Sequence, residues 1–129
     1  MDYGLCMPLK KPSILVIDDE AEIVDQVKEY FEEEGFEVMT AETGMEGIQI
    51  LRKCQPQVII LDMKLPDMSG LSILKVIKEN CLKSKVITMT GYVDQAMMDQ
   101  AEELGRDTFL QKPFDLERLK QEVDKLIRS

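Results

Sequence analysis

Two apolar runs dominate the pattern of this chain: ILVI at residues 14–17 and VIIL at residues 58–61, rich in Ile and Val and free of polar positions. Neither shows the apolar-polar alternation of a strand with one wet face. Both therefore predict strands buried on two sides, hence a parallel sheet covered by helices. Between them Ile23, Val27, Tyr30 and Phe31 recur at helical spacing within residues 21–34, and Gly35 stops the run. A strand is predicted at 36–40, then a helix at 44–54 with Met45, Ile48 and Leu51 on one stripe, ending ahead of Pro56. Pro66, Ser69 and Gly70 mark a loop, and Leu71, Leu74 and Ile77 a third helix. The alternation then repeats, with a strand at 85–90, a helix at 93–104, a short strand at 108–111 and a helix over 115–127 with Asp115 as its N-cap. Five strands alternating with five helices make one α/β domain over residues 13–129. Residues 1–12 show no periodicity and are expected to be a flexible leader.

Composition narrows the functional classes. Among 129 residues, 16 Lys plus Arg stand against 25 Asp plus Glu, a formal charge of −9. Such a surface repels nucleic acid and anionic membranes, so direct binding to either is not expected. The absence of His removes imidazole catalysis and most transition-metal sites. Cys6, Cys54 and Cys81 are widely separated and odd in number, which fits free thiols in a reducing cytosol. No run approaches the ~20 apolar residues of a membrane span. Residues 1–12 lack the apolar core of a signal peptide, so a cytoplasmic location is expected.

In a wound parallel sheet the ligand site lies beyond the carboxyl ends of the strands. Those ends carry Asp18, Asp19 and Glu20 after the first strand, Asp62 after the third, Thr90 after the fourth and Lys112 after the fifth. Carboxylates converging from neighbouring strands repel one another unless a cation sits among them, and hard oxygen donors suit Mg²⁺. Such a metal shares its shell readily with phosphate, and a carboxylate can act as the nucleophile that forms an aspartyl-phosphate. Lys112 would add a fixed positive charge and the Thr90 hydroxyl a hydrogen bond to the incoming oxygens. Taken singly these residues have plainer readings: Asp18 or Asp19 as a turn or cap, Thr90 as a solvated strand end, Lys112 as a surface charge. Asp62 differs, because a carboxylate closing a wholly apolar strand is costly without a partner.

The segments ILVIDDE, VIILDMKLPDMSG, VITMTGY and FLQKPF, in that order and spacing, resemble the receiver domains of bacterial two-component response regulators over residues 13–127. The resemblance implies a single five-stranded parallel sheet in the flavodoxin-like order 2-1-3-4-5, with five helices on both faces. It implies that Asp62 is the phosphoacceptor and that Mg²⁺ is held by Asp19, Asp62 and the backbone carbonyl of Lys64, with Asp18 acting mainly through water. Thr90 and Lys112 are implied as phosphoryl contacts, the Lys112 to Pro113 bond as cis, and Phe109 as a switch aromatic in place of the commoner Tyr. The implied donors are a histidine kinase, a phosphotransfer protein or a small phosphoryl compound. The implied output is a downstream effector protein or an attached output domain. Such a domain is not an enzyme in the usual sense but a phosphoacceptor that promotes its own phosphorylation and dephosphorylation. This chain departs from many relatives at Arg106, where Ala follows the Gly, and at Gly91, where Ala or Ser follows the Thr. Lys64 and Tyr92 flank the site.

Three other readings fit less well. A flavodoxin-like nucleotide binder needs N–H groups and hydroxyls in the first strand-to-helix loop, where this chain has Asp18, Asp19 and Glu20. An aspartyl-nucleophile phosphatase needs a general acid two residues after its nucleophile, where this chain has Lys64. A receiver-like protein-interaction module that is not phosphorylated would have no use for the acidic triad, Thr90 and Lys112 together.

Overall fold

The structure is a computed structural model and describes residues 11–80, 83–92 and 94–128. Its elements alternate strictly: β1 (Ser13–Ile17), α1 (Ala21–Glu33), β2 (Glu37–Ala41), α2 (Gly44–Lys53), β3 (Val58–Asp62), α3 (Gly70–Glu79), β4 (Lys85–Thr90), α4 (Gln95–Glu103), β5 (Thr108–Gln111) and α5 (Leu116–Arg128). The five strands are parallel, in the order β2-β1-β3-β4-β5, as the resemblance implies. Of the predicted leader at 1–12, all but Lys11 and Pro12 lie outside the described residues, as do Cys6 and Cys81. Among the described residues no helix is long and apolar enough to cross a membrane.

The two-residue period of a strand sends alternate side chains into opposite layers, and both layers are apolar. Ile14, Val16, Val58 and Ile60 pack with Val27 and Phe31 of α1 and Leu119 and Val123 of α5. Leu15, Ile17, Ile59 and Leu61 pack with Ile48 and Leu51 of α2 and Ile73 and Leu74 of α3. This explains why β1 and β3 show no alternation in sequence. Strand order reverses between β1 and its two neighbours, which opens a crevice at their carboxyl ends.

Two expectations shift. Phe36 belongs to the end of α1 rather than to β2: Gly35 takes a left-handed φ of 92°, and the Phe36 N–H donates back to Phe31 O at 2.9 Å. With that N–H spent on the cap, β2 begins at Glu37, whose N–H donates to Pro12 O at 2.8 Å. Met45 is 50% exposed, because the inner face of the α2 start is formed by Gly44, Gly47 and Ile48, which turns Met45 outward.

The start of α2 is anchored from outside the helix. The Asp67 carboxylate accepts the N–H of Gly44 at 2.8 Å and of Met45 at 3.0 Å, while the Thr43 hydroxyl accepts that of Glu46 at 3.1 Å. The bond from Gly44, then that from Met45, holds the Asp67 carboxyl below the usual carboxylate range. A group with a depressed folded pKa contributes stability that is complete above its unfolded pKa and is lost as pH falls through the folded one. Asp67→Ala is thus expected to lower Tm by a few degrees at neutral pH. The gap from wild type should narrow as pH falls below the ordinary carboxylate range, about 4. Circular dichroism melts across the acid range check this, and a gap independent of pH would contradict it.

Candidate functional site

Both central strands run from apolar residues straight into carboxylates. Asp18 follows β1 and has no exposed surface, while Asp62 closes β3 and is 5% exposed. The Asp18 N–H prolongs the ladder by donating to Ala41 O at 3.0 Å, and its carboxylate accepts the Glu20 N–H at 3.0 Å. Asp62 Oδ1 accepts the Lys64 N–H at 3.1 Å. The loop after β3 is pressed against the strand: the Gly70 N–H donates to Met63 O at 2.9 Å. A Cβ on Gly70 would lie 2.8 Å from Met63 Cα and 3.0 Å from Asp62 O, so only glycine fits there without displacing the backbone under Asp62.

Lys112 supplies the positive charge. Its N–H donates to Thr90 O at 2.8 Å and the following bond to Pro113 is cis, as the resemblance implies. The Nζ atom lies 2.7 Å from Glu20 Oε1, 3.0 Å from Asp18 Oδ2 and 3.2 Å from Asp62 Oδ2. Burial pushes the Asp18 carboxyl up; bonds from the Glu20 N–H and Lys112 offset this in part, and the Asp62 charge adds to it. Burial alone would pull the Lys112 amine down, but its pairing with Glu20 and Asp18 outweighs burial and raises it above the ordinary value.

One ammonium among three carboxylates leaves two negative charges uncompensated. Asp18, Glu20 and Asp62 each offer an oxygen, and these atoms lie within 4.8 Å of one another. An all-oxygen set with an excess of negative charge fits a hard divalent cation such as Mg²⁺. Beside it is a cleft of about 460 Å³ whose walls include Asp19, Asp62, Lys64, Thr90, Tyr92 and Lys112.

Of the residues singled out in sequence, Asp18, Asp62 and Lys112 are in direct contact, while Asp19, Lys64 and Thr90 line the same cleft. Thr90 is 6% exposed. Its hydroxyl donates to Tyr92 O at 2.7 Å and accepts the Tyr92 N–H at 3.2 Å, so it faces the β4–α4 connection rather than Asp62. Glu20 was noted at the strand end but given no role, yet it is the shortest partner of Lys112. Its place in the Asp-Asp-Glu run is the sequence signal for it.

Residues 14–124 match the family described as the response regulator receiver domain. The chain is 36% identical over 114 residues to sporulation initiation phosphotransferase F of Bacillus subtilis, covering 88% of this chain and 92% of that protein. Other curated relatives are longer, and the chain spans only 53%, 45% and 50% of three of them. A solved CheY-like receiver domain protein of Methanospirillum hungatei superposes with a TM-score of 0.90 at 28% identity, over 92% of this chain and 95% of that one. The response regulator protein TrrA of Thermotoga maritima, solved in complex with Mg²⁺ and BeF, gives 0.78 at 34% identity, over 88% and 97%.

The electrostatics of Asp18 carry a prediction. Raised in the folded state, its carboxyl costs stability as pH climbs from the unfolded pKa towards the folded one. Asp18→Asn leaves Lys112 paired with Asp62 and Glu20 and removes that cost. Without added metal it is expected to raise Tm by a few degrees at neutral pH and to make no difference below about pH 3. Calorimetric melts at both pH values decide; a lowered Tm at neutral pH would show that the pairing with Lys112 outweighs burial.

Proposed function

The chain belongs to the response regulator receiver family, and on that basis we propose that Asp62 accepts a phosphoryl group and thereby switches a protein-interaction face. The donor would be a histidine kinase, a phosphotransfer protein or a small phosphoryl compound, and the output a downstream effector or an attached domain. The observation that carries this reading is the setting of Asp62, a carboxylate at the end of a strand buried throughout, 3.2 Å from one ammonium and bordering an open cleft.

An Asp62 oxygen forms the new O–P bond while the bond from phosphorus to the donor breaks and its electron pair leaves with the donor. The Lys64 N–H on Oδ1 fixes the rotation of the carboxylate before attack. Lys112 exchanges a carboxylate partner for a phosphoryl oxygen, and its raised pKa keeps it charged throughout. Asp19, Asp62 and the Lys64 carbonyl would hold Mg²⁺, with Asp18 acting mainly through water, and the ion when bound neutralises charge on the transferring oxygens. Thr90 can donate to a phosphoryl oxygen only by releasing Tyr92 O, which ties the site to the β4–α4 connection. From there the change would reach Phe109 and the face of α4, β5 and α5. The domain is a phosphoacceptor, and promotion of its own phosphorylation and dephosphorylation is part of this proposal.

Given Mg²⁺ and acetyl phosphate, the chain is expected to gain one phosphoryl group, stable in acid and labile in base. Asp62→Asn should stay folded and unmodified. Intact-mass spectrometry reads the outcome, and undiminished modification of the Asp62→Asn protein would contradict the assignment.

A further inference from the structure

Arg106 has no part in the chemistry above, yet both its backbone and its side chain are tied into the fold. Gly105, at φ 91°, closes α4, and the Arg106 N–H donates to Ala101 O at 3.1 Å. The next residue is tied to β4 twice: Asp107 donates its N–H to Val86 O at 2.8 Å and accepts the Val86 N–H on its carboxylate at 2.7 Å. From this pinned turn the guanidinium crosses the α4 side of the sheet. Its Cζ lies 5.3 Å from the centroid of the Phe109 ring, and Nη1 is 3.5 Å from the Thr88 hydroxyl and 3.8 Å from the Met98 sulfur. One side chain therefore touches β4, β5 and α4 together.

Those contacts lie in line with the phosphoryl site. Thr88 is the strand partner of Phe109, and Thr90 stands two residues further along β4, on the same face of the sheet. The arrangement that Arg106 braces is the one in which the Thr90 hydroxyl is bonded to Tyr92 and turned away from Asp62. We infer that Arg106 is a positioning residue of the switch, a cation laid on the Phe109 ring that holds β5 and α4 in the unphosphorylated arrangement. This rests on Asp62 being the phosphoacceptor. Contacts made in only one of two arrangements bias the equilibrium towards it, and linkage requires that they weaken phosphoryl binding by the same factor. The chain thus carries a built-in threshold, set by a contact that a short apolar residue at this position could not make.

The test compares wild type, Arg106→Gln, Arg106→Lys, Phe109→Leu and the Arg106→Gln, Phe109→Leu double variant in two measurements. One is amide hydrogen exchange of α4 and β5 without ligand; the other is titration with beryllium fluoride in Mg²⁺, followed by amide NMR. Arg106→Gln is expected to speed exchange across both elements about two- to tenfold and to tighten beryllium fluoride binding by a similar factor. Arg106→Lys, which keeps a cation near the ring, should lie closer to wild type, and the effect of Arg106→Gln should shrink when Phe109 is already Leu. No change in either measurement, or faster exchange without tighter binding, overturns the inference. A wild-type protein that ignores beryllium fluoride while Arg106→Gln still loosens α4 and β5 would refute the phosphoacceptor reading itself. Arg106 would then be a structural brace and not part of a switch.

Discussion

Burying like charges side by side is the constraint that shapes this molecule. Asp18 and Asp62 lie at the ends of adjacent, fully covered strands, and Glu20 joins them on the same ammonium. A buried ion pair at best roughly balances its desolvation, and a surplus of carboxylates tips that balance against the fold. The apolar layers more than offset this. Each fully buried Ile, Leu or Val of β1 and β3 contributes roughly 1.5–3 kcal/mol. Stability thus resides in the sheet, which leaves its carboxyl edge able to carry an arrangement that is unfavourable until another positive charge arrives.

The loops around that edge keep the carboxylates from drifting apart. Gly70 lets the β3–α3 loop lie directly on the backbone of Asp62, and Asp67 in the same loop reaches back to cap α2. One short segment therefore fixes the end of β3, the start of α3 and the start of α2. On the other side, β4 delivers Thr90 and β5 delivers Lys112, joined by the bond from the Lys112 N–H to Thr90 O. Thr90, Thr88, Arg106 and Phe109 continue outward from there. The charged site and the Arg106–Phe109 contact are thus joined by one pair of strands.

What could be read from the sequence follows from which interactions are local. The bounds of β3, β4 and β5 were legible, since an apolar run or a turn residue marks each end, and so was the convergence of Asp18, Asp62 and Lys112 at the strand ends. The start of β2 was not, because Phe36 looks like a strand residue until its N–H is seen to be spent on the α1 cap. Met45 misled because helical spacing assumes a side chain at every inner position, whereas Gly44 and Gly47 form that surface. Glu20 on Lys112, Asp67 on α2 and Arg106 on Phe109 were beyond reach for a different reason. The first two join residues 92 and 23 positions apart, and the third depends on a turn direction that no periodicity encodes.

On this account the surplus negative charge at the strand ends is a cation site and not merely a cost. Thermal stability as a function of Mg²⁺ concentration tests it most directly, since a ligand that binds only the folded state raises Tm as its concentration passes the dissociation constant. Wild type should gain stability with added Mg²⁺ at constant ionic strength, Asp19→Asn should need more of it, and Asp62→Asn should respond little. A wild-type Tm that does not change with Mg²⁺, or changes equally in Asp62→Asn, would contradict the account.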